Sequence, residues 1–174
     1  YLIDLISNKY FGVPFDKNGK LSKKNKVNQE ALLAMLSEKY FSLQAPKSTG
    51  FETFNLKWIN KFIKKFNIKN KNTLIATITE LSIISISDAI NSNNLDSSDI
   101  FFSGGGSRNT FVKNSILKRT GLNEVKSLPF DINYKNLESA SFAWLAMKRN
   151  TGEVIKKSYI TGANRSRKLG IIYR

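Results

Sequence analysis

The chain has 174 residues, 41% of them hydrophobic, with twelve Phe and two Trp, enough apolar volume for the core of one globular domain. It has no Cys and no His, which excludes disulfides, thiolate nucleophiles and histidine as general base or metal ligand. The formal net charge is +15, so any acid–base or metal chemistry rests on thirteen carboxylates within a strongly basic chain, or on residues outside it.

Tyr1 to about Tyr10 reads as a short helix whose apolar face begins without a lead-in, so the chain reads as a piece of something longer. Gly12 and Pro14 stop this helix before a polar stretch from Asp16 to Lys26. Asn28 then opens a helix with Leu32, Leu33, Met35 and Leu36 as its expected buried face. A loop carrying Pro46-Lys47-Ser48-Thr49-Gly50 follows. From Leu56 to Phe66, the residues Leu56, Ile59, Phe62, Ile63 and Phe66 recur at helical spacing, with Lys57, Lys61, Lys64 and Lys65 opposite them. The stretch from Thr73 to Asn91 is apolar over half or more of a helix circumference and is expected to be largely buried.

After a polar gap from Asn91 to Ser98, Asp99 to Ser103 reads as a short strand ended by Gly104-Gly105-Gly106, and a helix runs from about Asn109 to Arg119, closed by Gly121. A strand at Glu124 to Leu128, a helix from about Lys135 to Arg149 and a last strand at Gly170 to Arg174 complete an α/β layer architecture, expected as a single domain over 1–174. No apolar run approaches the ~20 residues of a bilayer span, so the sequence reads as soluble and cytoplasmic, with no membrane partner. The lysines lie on solvated faces without interleaved aromatics, which places nucleic-acid binding second to a bland reading of the charge.

Three segments carry candidate chemistry. In Ile100 to Asn109 a strand enters a glycine turn that opens a helix, so that Gly104, Gly105 and Gly106 admit a ligand close to the backbone and Asn109 supplies a side-chain contact or caps the helix. A plain strand-to-helix turn is the alternative, although such a turn hardly needs three glycines. Lys47, Ser48 and Thr49 offer a cation and two hydroxyls to a phosphate or sugar, or else Ser48 or Thr49 caps the next helix. Glu138 opens Glu138-Ser139-Ala140-Ser141-Phe142-Ala143-Trp144-Leu145-Ala146, whose small residues permit close helix packing, and is either a ligand contact or a dipole-stabilising charge. Asp4, Asp16, Asp88 and Asp131 show no partner that raises them above structural roles.

Taken in order, Phe15-Asp16, Lys26-Val27-Asn28, Pro46 to Gly50 with Phe54-Asn55, Thr77 to Leu81, Gly104 to Asn109, Glu138 to Ala146 and Thr161-Gly162-Ala163 resemble the anhydro-N-acetylmuramic acid kinases, over the second half of that family only. The resemblance implies the second domain of the sugar kinase, actin and heat-shock ATPase superfamily fold, a mixed sheet with packed helices, as the nucleotide-binding half of a two-domain enzyme. It implies ATP and magnesium as cofactors, an anhydro amino sugar as substrate, peptidoglycan recycling as the setting and dimerisation as an expectation. The first half, with its catalytic aspartate, is expected to be absent, leaving no catalytic base or metal ligand in this chain and a fragment inactive alone. On the adenosine side the resemblance places Gly104, Gly105, Gly106 and Asn109; near the sugar it places Glu138; and it leaves Lys47, Ser48 and Thr49 as cleft-lining candidates. A kinase for another amino sugar and a basic module for RNA or another polyanion are the competing readings.

Overall fold

Helix α1 (Leu2–Phe11) carries Asp4 in its first turn and ends at Gly12, which takes φ 69°. There the Gly12 amide donates to Asn8 O and the Val13 amide to Ser7 O, satisfying carbonyls that the helix end leaves without a partner. The computed structural model describes residues 1–93, 99–156 and 162–173. Beyond α1 these hold α2 (Gln29–Leu36), α3 (Lys39–Ser42), α4 (Leu56–Lys65), α5 (Lys71–Asn91), β1 (Asp99–Phe101), α6 (Thr110–Thr120), β2 (Asn123–Val125) and α7 (Leu137–Asn150).

Four helices start on the same device, an asparagine whose side-chain oxygen accepts an amide hydrogen of the first turn. Asn28 accepts from Ala31 N at 2.9 Å, Asn55 from Trp58 N at 3.0 Å, Asn70 from Asn72 N at 2.8 Å and Asn109 from Val112 N at 3.2 Å. Each such cap contributes roughly 1 kcal/mol, so the abundance of Asn has a local structural use.

The core lies where α1, α2 and α4 meet α5. Ile6, Ala31, Leu32, Met35, Ile59, Phe62, Leu74, Ile75, Ile78 and Leu81 form one buried cluster. At its centre the backbone amide of Asn28 donates to Thr77 Oγ1 at 3.0 Å, while that buried hydroxyl donates to Thr73 O at 2.7 Å. The start of α2 is thereby fixed to the side of α5 without leaving either polar group unpaired. An aromatic run, Tyr40, Phe54, Trp58, Phe62 and Phe66, extends from this core with successive ring centroids 5.2, 5.0, 4.8 and 6.5 Å apart.

Several sequence expectations change here. Leu33 is 66% exposed and Ala31 takes its place in the core, because Ala31 and Met35 stand one helical turn apart on the face that meets α5. Helix α5 is buried most fully from Leu74 to Thr79; toward its end burial alternates, with Ser87 1% and Ile86 43% exposed. By length and composition α5 does meet the dimensions of a membrane span, contrary to the sequence reading, yet half of its apolar window is packed inside the chain. Residues 170–173 form no strand; nearby, Ile155 and Arg167 instead make a single antiparallel bridge.

The sheet is small. β1 and β2 pair in parallel with Asp99 opposite Asn123, Ile100 opposite Glu124 and Phe101 opposite Val125, and α6 is the crossover between them. The result is a mixed α/β chain in which helices outweigh strands. Ion pairs tie α6 in place: Lys113 with Glu124 on β2, and Arg119 with Glu80 on α5. Helix α7 has no buried residue, so the close packing expected of its small residues is not made within the described chain.

Candidate functional site

The glycine turn is built from both ends. Gly104 takes φ 74° and ψ −179°, a conformation essentially restricted to glycine, and a 3-10 turn over Gly105–Arg108 follows. The Ser107 hydroxyl donates to Gly104 O at 2.7 Å and the Asn109 amide to Gly106 O at 3.0 Å, which closes the turn on itself. A Cβ added at Gly105 or Gly106 would meet nothing within 4 Å beyond its own chain neighbours. The backbone explains Gly104, and the two following glycines leave the turn bare on its open side.

Asn109 joins this turn to a loop more than ninety residues earlier. While its Oδ1 caps α6, its Nδ2 donates to the backbone oxygen of Asp16 at 3.1 Å. Asp16 is 2% exposed and acts as the staple of its own loop. Its carboxylate accepts from Leu21 N at 2.8 Å, Ser22 N at 3.2 Å and the Ser22 hydroxyl at 2.7 Å. Gly19, at φ 70°, then presses on Phe111 of α6 so closely that a Cβ there would lie 2.4 Å from Phe111 Cβ. Asp16, Gly19 and Phe111 were not singled out as a unit in the sequence; the Asp-x-x-Gly turn signal was present, but its partner helix was too distant to read. Next to the turn, Asn18, Lys23, Thr110, Asn114, Ser115 and Lys118 help line a hollow of about 310 Å³, rich in amides, hydroxyls and cations.

The 46–50 loop is placed differently. Lys47 Nζ donates to Tyr40 O at 3.2 Å and Phe41 O at 3.1 Å and stands 4.9 Å from the centre of the Tyr40 ring, so it satisfies carbonyls at the end of α3. Ser48 is exposed, and neither it nor Thr49 caps α4, which is capped by Asn55. Thr49 and Gly50 instead line a groove of about 650 Å³ among Tyr40, Phe41, Phe51 and Phe54. Gly162 reaches the same loop: a Cβ on it would lie 3.3 Å from Pro46 Cγ. Two motifs far apart in sequence therefore meet, although Thr161 lies outside the described residues.

With these positions fixed, the comparison with known proteins covers all of them. A family model described as anhydro-N-acetylmuramic acid kinase matches residues 1–174. The chain belongs to that family. Relatives named anhydro-N-acetylmuramic acid kinase include those of Sulfurimonas denitrificans, 34% identical over 99% of this chain and 48% of the relative, and Pasteurella multocida, 35% identical over 99% and 46%. A third, from Haemophilus influenzae, is 35% identical over 99% of this chain and 48% of its own length. The chain spans about half the length of the curated relatives it matches.

Glu138 sits exposed in the first turn of α7, whose start at Asn136 has no side-chain cap. Thr49 lines the groove of about 650 Å³, whereas neither Glu138 nor the glycine turn lines that groove or the hollow beside α6. Nor do the described residues hold a group of three carboxylates placed to bind a metal ion.

Proposed function

We propose that this chain is the nucleotide-binding half of an ATP-dependent kinase that converts 1,6-anhydro-N-acetylmuramic acid to N-acetylmuramic acid 6-phosphate, opening the anhydro bridge by addition of water. The reading rests on the family match over the whole chain. The bare glycine turn, which can take a ligand against Gly105 and Gly106 without crowding from this chain, supports it. The fold position is that of the second domain of the sugar kinase, actin and heat-shock ATPase superfamily, in the cytoplasm, with residues 1–174 as one domain. ATP supplies the phosphoryl group, and magnesium offsets charge on its phosphates.

In this proposal the backbone at Gly104, Gly105 and Gly106 receives the adenosine side of the nucleotide. Asn109 holds the turn rigid by capping α6 and bonding the Asp16 loop. Its side chain thus positions the turn as much as it touches a ligand. Lys23 and Lys118 present ammonium groups to an anionic ligand beside the turn. Glu138 contacts the sugar, Thr49 faces the groove, and Ser48 is free to contribute from the same loop. In this proposal magnesium sits on the nucleotide phosphates, and the catalytic base lies in the other half of the enzyme.

Two substitutions in a complete enzyme, made by joining the first half of the Sulfurimonas denitrificans relative ahead of Tyr1, test the assignment. A Cβ at Gly105 has open space around it and the backbone there is not left-handed, so Gly105→Val is expected to keep the fold while ATP affinity falls. Titration with ATP beside a melting curve reads both, and an unchanged affinity removes the turn from the nucleotide site.

Glu138→Gln keeps the shape and removes the charge. A sugar contact made in the transition state predicts turnover lower by about tenfold or more, ~1.4 kcal/mol, with little change in ATP affinity. A role limited to the α7 dipole predicts normal turnover and a loss of about 0.3–1 kcal/mol in stability. Steady-state kinetics and thermal unfolding of the same variant separate the two.

A further inference from the structure

The groove beside the 46–50 loop has a volume of about 650 Å³, and no charged side chain lines it. Its walls come from both ends of the helical core: Tyr1 and Leu2 on one side, Phe51 and Phe54 on another, and Leu81 and Ile86 along α5. Phe51 is 73% exposed, Tyr1 66% and Ile86 43%, an apolar patch that solvent covers poorly. Along α5 the groove is also lined by Ser82 and Ser85, on the same helix as Ile86.

We infer that this groove is the seat of the polypeptide that precedes Tyr1 in the family, which packs an apolar segment between Phe51 and Ile86. The inference rests on the proposal above that this chain is the second half of its enzyme. Two observations choose the occupant. Tyr1 itself forms a wall, so any residue joined ahead of it begins at the rim of the groove. The matched relatives carry about as much chain again as this one supplies. The absence of charge suits an apolar segment rather than a nucleotide or a phosphorylated sugar.

The chain has no cysteine, so one introduced thiol is a unique label. Ile86→Cys is labelled with a maleimide in the 174-residue chain and in the joined chain carrying the Sulfurimonas denitrificans first half, with Lys64→Cys on the lysine face of α4 as control. The expected result is labelling of Ile86→Cys slowed about tenfold or more on joining, with Lys64→Cys unaffected. Equal rates at Ile86→Cys, or an equal slowing at both positions, overturns the inference. If the joined chain does not fold, the two halves are mixed as separate polypeptides, where the same protection is expected and its absence is equally decisive. Sugar phosphorylation is scored separately: turnover with Ile86→Cys unprotected sinks the docking surface alone, whereas protection without turnover counts against the kinase reading and leaves the surface standing.

Discussion

Replacing Gly19 by Ala is expected to destabilise the chain by about 3 kcal/mol, the sum of a left-handed backbone penalty and an overpacking term of comparable size. Both terms are visible at this residue. Its φ is +70°, and the added Cβ would stand 2.4 Å from Phe111 Cβ, an atom fixed to the backbone of α6 that no rotamer change can move. Gly12→Ala provides the comparison, since it shares the conformation, at φ +69°, but meets nothing within 4 Å. It should lose only the conformational part, roughly 1–2 kcal/mol. Urea unfolding of the two variants isolates the steric term, and equal losses would show that α6 does not rest on the Gly19 turn. Because α6 carries the glycine turn at its start, the Gly19 variant is also expected to loosen that turn in a complete enzyme.

Asp16→Ala should cost a similar amount by a different route. The buried carboxylate accepts from two amides and a hydroxyl, and its removal leaves Leu21 N, Ser22 N and Ser22 Oγ without those partners. At ~1–3 kcal/mol for a buried group left unsatisfied, with water reaching the half-exposed Leu21 amide, a net loss of about 3 kcal/mol is expected. Asp16→Asn retains one carbonyl acceptor and should lose less. Thermal unfolding ranks the three proteins, and an Asn variant as unstable as the Ala variant would contradict the hydrogen-bond account. The Asp16 backbone oxygen, which receives Asn109 Nδ2, is present in all of them. A change in ATP affinity would therefore report movement of the loop and not loss of that bond.

The helices were legible in the sequence where periodicity ran for two turns or more, as in α4, whose exposed lysines face away from Ile59 and Phe62. Helix α3 has only four residues, too few for a period to show. The expected strand from Glu124 shortens to Asn123–Val125, because its partner β1 ends at Phe101, opposite Val125. Leu33 was misassigned since a run of Leu and Met does not reveal which of two adjacent arcs meets α5.

For the candidate site, the glycine turn and the Asn109 cap were readable as local chemistry. The bond from Asn109 to Asp16, the pairing of Glu80 with Arg119 and the approach of Gly162 to Pro46 each join residues dozens of positions apart. No spacing rule reaches such contacts, and Lys47 illustrates the cost: a cation beside two hydroxyls looks available for a ligand until its two carbonyl partners are seen.

The aromatic run from Tyr40 to Phe66 also gives the chain an optical signature. Of its two tryptophans, Trp58 is wedged between Phe54 and Phe62 with its indole nitrogen buried, whereas Trp144 on α7 is 48% exposed. Emission from Trp58 belongs at the blue edge and is shielded from iodide. Trp144 emits to the red and is open to the quencher. One spectrum thus watches the helical core and the α7 surface at once, and a partner that covers α7 changes only the quenchable half of the light.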